Sequence, residues 1–258
     1  MTRGAAGFGL DVLGAGPAFT DRIGATGAAY LLRHPDGDLL LDLGQGSFPR
    51  LAAAMEPSDL LAVLVSHLHP DHFVDLVPLR HYLRWHLAPA RRVRVLGPAG
   101  LGERLDGLHA EAGFSAATLD IEPLSVGLRR IGPFTVEAAL VAHTDESYGF
   151  RVAVEDGPGL VYSGDCGRAA DLDPLIRPGD TLLCEVSFGV GPVPPDASHL
   201  DGPGVGALAA RTMAGSVLLT HLLMDRDRSA TVASVQARFD GPVRFVDPGD
   251  RIELPTTA

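Results

Sequence analysis

Short apolar runs, separated by turns that contain glycine, proline or aspartate, recur along almost the whole chain. Such runs predict strands at residues 8–13, 28–33, 39–43, 60–65, 93–96, 119–124, 134–141, 148–154, 160–163, 181–186, 217–220, 243–246 and 251–254. Helical spacing of apolar residues predicts helices at 47–54, 73 to about 85 with an interruption at Pro78, 102–110, 203–214 and 229–239. Strands cluster ahead of helices twice over, which favours two packed sheets with helices outside, in a single domain of residues 1–258.

Composition restricts the partners that this chain can have. Its 21 basic and 32 acidic residues give a formal charge of −11, and the largest basic cluster is Arg91, Arg92 and Arg94. A broad nucleic-acid interface needs clustered positive charge, so a large RNA partner is disfavoured. A small anion is still compatible, because bound metal ions would be the strongest local charges.

The cysteine count and the apolar runs bear on the compartment. Cys166 and Cys184 alone cannot form a disulfide framework or a thiolate zinc site, which fits a reducing compartment. The N-terminal segment has one arginine and reaches Asp11 before any long apolar stretch, unlike a signal peptide. No stretch approaches the 18 apolar residues of a membrane span. We therefore expect a cytoplasmic protein without a membrane partner.

The segment from Ser66 to His72 concentrates metal-binding side chains in the order His-x-His-x-Asp-His. It follows the predicted strand at 60–65 and precedes a helical pattern, so its four candidate ligands lie on a strand-to-helix turn: His67, His69, Asp71 and His72. Two imidazoles two residues apart in extended backbone can face one ion, while the pair at the turn suits a second ion. Imidazole and carboxylate together suit Zn²⁺, with Mn²⁺ or Fe²⁺ as competitors. The alternative, a polar surface turn, does not explain this density.

Three more candidate ligands each stand at the end of an apolar strand. They are His143 after 138–142, Asp165 after 160–164 and His221 after 217–220. A single histidine in such a place is more often a hydrogen-bonded structural residue. All three occur downstream of the histidine-rich turn, and this combination favours a shared metal site.

These segments together resemble the metallo-β-lactamase-fold hydrolases over nearly the whole chain. The sequence is most similar to the phosphodiesterase branch, which includes ribonuclease Z-like enzymes and bacterial cyclic-nucleotide phosphodiesterases. The matching segments are residues 13–16, 41–46, 66–72, 162–165 and 219–221. The resemblance implies an αββα sandwich of two mixed sheets.

The resemblance also implies a dinuclear centre with two divalent ions, Zn²⁺ above all. It places His67, His69 and His143 on one ion, Asp71, His72 and His221 on the other, and Asp165 between them. Two such ions activate water and polarise a phosphoryl oxygen. Asp71 would also orient or deprotonate that water. Asp42 would support the ligand turn from outside, as metal ligands require.

Glu185 and His199 correspond to a Glu–His pair that protonates the leaving alkoxide in ribonuclease Z-like proteins. Glu185 would keep His199 charged, which makes His199 a general acid near neutral pH. The alternative is that His199 caps the following helix and Glu185 is a structural carboxylate. The residues around the pair depart from the family pattern, with Cys184 before the glutamate and Leu200-Asp201 after the histidine.

The substrate prediction follows from what the chain lacks. Only 22 positions separate His143 from Asp165, so the long tRNA-gripping arm of many relatives has no room there. A small-molecule phosphodiester such as a cyclic nucleotide is therefore the predicted substrate. The alternatives are a ribonuclease Z-like RNA 3′-processing nuclease, an ester, thiolester or lactone hydrolase, and a non-catalytic metal-binding regulatory protein.

Two surface features complete the sequence-based predictions. His81, Tyr82, Trp85 and His86 form an aromatic patch that suits core or dimer packing, so a homodimer is expected. Three arginines are candidate helpers at the rim of the substrate pocket: Arg151, Arg226 and Arg228.

Overall fold

Residues 8–255 are described in the computed structural model, and their strands form two seven-stranded sheets. The first sheet has the order β14-β1-β2-β3-β4-β5-β6, with β1 (Gly9–Gly14), β2 (Ala29–Arg33), β3 (Leu39–Leu41), β4 (Ala62–Leu64), β5 (Val93–Gly97), β6 (Leu119–Pro123) and β14 (Arg251–Glu253). The second has the order β13-β12-β11-β10-β9-β8-β7, with β7 (Gly127–Ile131), β8 (Phe134–Leu140), β9 (Tyr148–Val154), β10 (Leu160–Tyr162), β11 (Thr181–Glu185), β12 (Ser216–Thr220) and β13 (Val243–Phe245). Both sheets mix parallel and antiparallel pairs.

The helices lie between the strands in sequence. The α-helices are α1 (Phe48–Ala54), α2 (Pro70–Phe73), α3 (Leu76–His81), α4 (Leu101–His109), α5 (Gly202–Thr212) and α6 (Arg228–Gln236). Short 3₁₀ turns occur at Pro57–Asp59, Ser115–Ala117 and Ala169–Leu172, and a π-helical turn at Tyr82–His86.

Three apolar layers hold these elements together. The central layer lies between the sheets and includes Tyr30, Leu41, Phe150 and Tyr162. One outer layer joins the first sheet to α1, α3 and α4, and the other joins the second sheet to α5 and α6. Strands covered on both faces read as continuous apolar runs, which is why the sequence shows so little alternation. The predicted αββα architecture is confirmed.

Most of the candidate residues lie at the carboxyl-terminal ends of the parallel strands in each sheet. β3 to β6 run parallel in the first sheet, and β10 to β13 run parallel in the second. Ligand sites in open α/β sheets lie beyond the carboxyl ends of such strands. The histidine-rich turn follows β4, Asp165 follows β10, Glu185 ends β11 and His221 follows β12.

The glycines of the matched segments allow neighbouring backbones to approach each other closely. A Cβ on Gly14 would lie 1.8 Å from the carbonyl oxygen of Gly27. A Cβ on Gly44 would lie 1.8 Å from the carbonyl oxygen of Asp71. That carbonyl accepts a hydrogen bond from the Ala28 N–H at 2.9 Å. Gly44 therefore lets the histidine-rich turn rest directly on the first sheet.

One secondary-structure prediction was wrong, and one strand was not predicted. The helix predicted from 73 to about 85 was expected to be interrupted at Pro78, but the break lies at Val74 and Asp75, between α2 and α3, and α3 runs through Pro78 to the π-helical turn. β7 was missed because it is an edge strand that pairs only with β8 among the described strands, and its side chains are mostly not buried. Such a strand carries little apolar pattern to read.

The described residues contain no helix that is both long enough and apolar enough to cross a membrane. The prediction about a signal peptide concerns mainly residues 1–7, which lie outside the described range. The homodimer and the single-domain assignment stay predictions. Within the aromatic patch, Trp85 is 68% exposed, while the Tyr82 hydroxyl donates to Glu56 at 2.7 Å.

Candidate metal centre

The first group of convergent side chains, called here the first set, consists of His67, His69, His143 and Asp165. One potential ligand atom from each lies within 4.8 Å of the others. His143 Nε2 is 3.0 Å from His69 Nδ1 and 3.6 Å from Asp165 Oδ2. His67 Nε2 is 3.8 Å from the same carboxylate oxygen. Three imidazole nitrogens and one carboxylate therefore face one small volume.

The second set consists of Asp71, His72, His221 and again Asp165, with the same 4.8 Å limit. His221 Nε2 lies 3.0 Å from Asp71 Oδ2 and 3.5 Å from Asp165 Oδ2. His72 Nε2 lies 3.4 Å from Asp165 Oδ1. Asp165 is the one residue that belongs to both sets, which is the arrangement that a bridging ligand needs.

The donor atoms of these sets fit divalent ions. Four buried atoms there have no hydrogen-bond partner among the described residues: His67 Nε2, His72 Nε2, Asp71 Oδ1 and Asp165 Oδ1. A buried polar atom without a partner is costly and needs an explanation. Imidazole nitrogen and carboxylate oxygen are the donors that Zn²⁺ accepts, so a cation at each set would satisfy these atoms.

Outer hydrogen bonds fix which nitrogen each imidazole presents. His143 Nδ1–H donates to the Ser198 carbonyl at 2.8 Å, which leaves Nε2 free to face the first set. His72 Nδ1–H donates to Asp42 Oδ2 at 2.7 Å, which likewise leaves Nε2 for the second set. His221 Nδ1 is 3.1 Å from Ser187 Oγ. Partners of this kind orient metal-binding histidines and set their tautomers.

Asp42 and His221 share an unusual backbone conformation. Both have φ of 57°, in the left-handed region, and each directly follows a strand, β3 or β12. Non-glycine residues seldom adopt this region, although aspartate and histidine do so more often than most. Strained residues of this kind cluster at functional sites. Here the conformation turns the chain sharply as it leaves each sheet at the candidate centre.

The two sets differ in their electrostatics. Burial lowers the pKa of His67 well below its ordinary value, and burial also lowers the pKa of His69 and His143. Burial acts in the same direction on His72 and His221, but neighbouring carboxylates outweigh it and raise both pKa values. Burial raises the pKa of Asp165, yet the charges of His221 and His72 hold it well below its ordinary value. The carboxylates around the second set thus stabilise positive charge on its imidazoles.

Glu185 and His199 form a hydrogen-bonded pair beside both sets. His199 Nδ1–H donates to Glu185 Oε1 at 2.9 Å, and its ring lies 4.7 Å from that of His143 between centroids. Burial lowers the pKa of His199, but the hydrogen bond and charge of Glu185 outweigh burial and raise it to about 8. The helix after His199 is capped by Asp201, whose side chain accepts from the Gly204 N–H at 2.8 Å. The capping alternative for His199 therefore fails.

Glu185 has further contacts that the sequence did not indicate. Its Oε2 accepts from the Ser187 N–H at 3.0 Å and from the Ser187 hydroxyl at 2.7 Å. Its Oε1 also accepts from the Cys166 N–H at 3.0 Å. Ser187 then reaches His221, so one buried carboxylate connects His199, the second set and the backbone beside Asp165.

The supporting residues that sequence reasoning missed are Ser66, Tyr162, Ser187 and Ser198. Ser66 and Tyr162 lie within segments that matched the family, but the sequence assigned neither a role. Ser198 acts through its carbonyl oxygen, and no side-chain pattern could reveal that.

One of the three arginines predicted at the rim is engaged elsewhere. Arg151 Nε donates to Asp180 Oδ2 at 2.7 Å, at the amino end of β11 and therefore away from the site. That prediction was wrong. Arg228 forms a two-bond ion pair with Asp247 at 2.8 Å, and both residues line a small cavity together with His221. The guanidinium of Arg226 lies 5.6 Å from the ring centroid of Phe188, which is itself 6.1 Å from His199.

Two packed mixed sheets, outer helices and a histidine–aspartate cluster at the carboxyl ends of the strands define the metallo-β-lactamase fold. The chain belongs to the family described as "Beta-lactamase superfamily domain", whose model matches residues 38–222. Family membership and relatives together support a metallo-hydrolase of this superfamily.

Similar proteins span most of the chain. It is 35% identical to ML1173 of Mycobacterium leprae over 88% of this chain and 82% of that protein. It is 26% identical to the probable metallo-hydrolase YhfI of Bacillus subtilis over 76% of this chain and 79% of that protein. The solved YhfI structure superposes with a TM-score of 0.86, 22% identity and coverage of 96% and 99%. Human tRNase Z, short form, gives a TM-score of 0.70, 20% identity and coverage of 96% and 99%.

Proposed function

We propose that this protein is a dinuclear metal-dependent phosphodiesterase that acts on small phosphodiesters, cyclic nucleotides above all. The observation that carries the proposal is the convergence of two four-residue sets on Asp165 with the Glu185–His199 pair beside them. The two sets provide places for two cations. The pair provides a proton donor next to them, which an alkoxide leaving group requires and a good leaving group does not.

Each residue has a defined part in this proposal. The first set would hold one divalent ion and the second set another, with Asp165 shared between them; Zn²⁺ suits the donors best and Mn²⁺ or Fe²⁺ are competitors. When bound, such ions lower the pKa of water towards about 7 and neutralise phosphoryl charge. Asp71 has two carboxylate oxygens, so one of them can hold the second ion while the other orients the attacking water and accepts its proton.

His199 is the proposed general acid. Its Nδ1–H is held by Glu185, so its other ring nitrogen is left to donate a proton to the departing oxygen. The side chain is 23% exposed, which lets a substrate reach it from solvent. Glu185 is fully buried and keeps the imidazole in one orientation.

Substrate size follows from the loops and the charge. The chain from His143 to Asp165 consists of a short turn, β9, a hairpin turn and β10, with no inserted arm. The formal charge of −11 would repel a polyanion that must be held at many phosphates. A pocket that selects one phosphodiester agrees better with both features.

Both cysteines are free and buried, in keeping with the expected cytoplasmic location.

The test compares substrates in one buffer with Zn²⁺ or Mn²⁺. We expect clear hydrolysis of 3′,5′-cyclic nucleotides that depends only weakly on monovalent salt. Salt-sensitive cleavage of precursor tRNA with inert cyclic nucleotides would support the nuclease alternative and contradict the proposal. Turnover of a lactone or thiolester alone would assign ester chemistry. Absence of turnover with every substrate, while metal is bound, would indicate a regulatory metal-binding protein.

A further inference from the structure

The Asp42 carboxylate is fully buried and accepts four hydrogen bonds. Oδ1 accepts from the Ser66 N–H at 2.6 Å. Oδ2 accepts from the Ser66 hydroxyl at 2.7 Å, from His72 Nδ1–H at 2.7 Å and from the Tyr162 hydroxyl at 2.7 Å. Among the residues that the structure describes, Tyr162 is the only one of these donors that comes from the second sheet.

Tyr162 reaches Asp42 across the central apolar layer. It ends β10 in the second sheet, three positions before Asp165, and its ring packs against Tyr30 with centroids 5.1 Å apart. Tyr162 is 1% exposed, so its hydroxyl is shielded from bulk water. Tyr162 and Asp165 therefore lie in one short segment of the second sheet. This segment supplies both the carboxylate that the two sets share and the hydroxyl that binds Asp42, the partner of His72.

We propose that Tyr162 is a positioning residue for the second set, and that its hydroxyl makes tight binding of the second ion depend on closure of the two sheets. Tyr162 and His72 donate to the same oxygen of Asp42, so the phenol limits how that carboxylate can rotate. A carboxylate held in place orients His72 Nε2 towards the second set. The proposal rests on the ligand assignment and not on the identity of the substrate.

Removing the Tyr162 hydroxyl should weaken the hydrogen bonds that fix Asp42 and His72 without creating a cavity in the core. Tyr162→Phe keeps the ring and its packing against Tyr30 but deletes one donor to a buried carboxylate. Outer-shell partners of metal ligands typically contribute 10- to 100-fold in metal affinity. Tyr162 acts one residue further out than Asp42, so we expect a loss of about 10-fold for the second ion. Asp42 reaches the first set only through the Ser66 hydroxyl, which lies 3.1 Å from His67 Nδ1. Tyr162→Phe leaves that hydroxyl in place, so the first ion should bind as before.

Tyr30 offers a matched control in the same layer. It is also fully buried, and its hydroxyl also crosses between the sheets, where it lies 2.5 Å from Thr220 Oγ1. This contact reaches a hydroxyl and not a carboxylate that supports a candidate ligand. Thr220 Oγ1 donates in turn to the Ala15 carbonyl at 3.2 Å, and the same carbonyl accepts from the backbone N–H of His221 at 3.1 Å. Tyr30→Phe removes neither of these two bonds. Tyr30→Phe should therefore lower the Tm of the metal-free protein much as Tyr162→Phe does, and leave the affinity for both ions unchanged.

The experiment is a titration of chelator-treated protein with Zn²⁺ in competition with a chromogenic chelator, which gives two dissociation constants. A His72→Ala variant identifies the constant that belongs to the second ion. The expected result is that Tyr162→Phe raises only this constant, while Tyr30→Phe changes neither. In an Asp42→Asn background, Tyr162→Phe should have no additional effect on the second ion, because the oxygen that it fixes no longer carries the charge.

Three outcomes would overturn the proposal. They are unchanged second-ion affinity in Tyr162→Phe, equal losses in the two tyrosine variants, or a full additional loss from Tyr162→Phe in the Asp42→Asn background. Each of these readings is independent of turnover. A failure of the phosphodiesterase assay therefore does not affect this test. A failure of this test likewise does not affect the proposed phosphodiesterase activity.

Discussion

Asp165 is the residue at which the two halves of the candidate centre meet. Its side chain is 2% exposed, and its two oxygens lie between 3.4 and 3.8 Å from imidazole nitrogens of both sets. His69, by contrast, is exposed and contributes to one set only. The individual side chains therefore differ in how much of the site depends on them.

Asp165→Ala should reduce the content of both ions, because both sets lose a ligand. Elemental analysis of protein purified without chelator should give about two equivalents of metal for the parent and well below one for the variant. Asp180→Ala removes another buried aspartate at the far end of β11, and it should leave the metal content unchanged. Loss of a single equivalent in Asp165→Ala would contradict a bridging role.

His199→Ala should lower kcat for an alkyl phosphodiester by roughly 10²–10⁴-fold, the usual contribution of a general acid. The loss should be much smaller with a nitrophenyl ester, whose leaving group needs no proton. Glu185→Gln should give the same pattern with a smaller amplitude, since it weakens the hold on His199. Steady-state kinetics with the two substrates, at equal metal content, provide the measurement. Equal losses for both would make His199 a positioning residue instead.

At the scale of secondary-structure elements, short connections carry most of the candidate site. Each parallel strand is three to five residues long, and the histidine-rich turn, Asp165 and His221 lie in the connections that follow such strands. Elsewhere, side chains stabilise loops by accepting hydrogen bonds from the loop backbone. Asp106 of α4 accepts from the Gly113 N–H at 2.6 Å, the Ser115 N–H at 2.8 Å and the Ser115 hydroxyl at 2.7 Å. This carboxylate ties the loop after α4 to the helix.

Asp106→Asn should destabilise the protein in a pH-dependent manner. Burial raises the pKa of Asp106, but the bonds from Ser115 and Gly113 outweigh it and lower the pKa below its ordinary 3.8. A carboxyl group whose pKa is lowered by folding adds stability above its unfolded pKa and loses it as pH falls through the folded value.

The free energy of unfolding in urea should therefore differ by about 1 kcal/mol between parent and variant at pH 7. That difference should shrink as the pH falls below 3.8. The exposed Asp156→Asn serves as the control and should show no such trend. A difference that stays constant with pH would refute the assignment to the ionised carboxylate.

At the scale of the whole molecule, the site exists only where the two sheets meet. The first sheet and its turn contribute His67, His69, Asp71 and His72, and the second contributes His143, Asp165, Glu185 and His221. The central apolar layer holds these halves together, and Phe150 is among its largest fully buried side chains. Unfolding of one sheet should therefore separate the candidate ligands and abolish the site.

Phe150→Ala should lower the free energy of unfolding by about 3–5 kcal/mol, the usual effect of a large cavity in a core. Leu128→Ala on β7 removes a side chain that is 70% exposed, and it should change stability by less than about 0.5 kcal/mol. Urea unfolding followed by far- and near-ultraviolet circular dichroism gives both values. The two signals should change together in the parent protein, and separate transitions would show that the sheets unfold independently.

The sequence by itself determined the fold class and which side chains stand at the candidate site. Strands buried on both faces give uninterrupted apolar runs, so each polar residue at the end of a run is conspicuous, as Asp165 and His221 are. Glu185 and His199 were also predictable, through their match to a family pattern. The cap of α6 follows local chemistry as well: aspartate is a favoured N-cap residue, and the Asp227 side chain accepts from the Ala230 N–H at 2.7 Å.

Only the tertiary structure decided how these side chains are paired. Tyr162 and Asp42 are 120 positions apart, and His143 and Ser198 are 55 apart, so no local pattern records their hydrogen bonds. The same is true of Arg151, which the sequence placed near the substrate and the fold pairs with Asp180. Apolar patterning selects which residues are buried, but it does not select their polar partners. Those partners are chosen when the two sheets close and each buried polar group must find a donor or acceptor within reach.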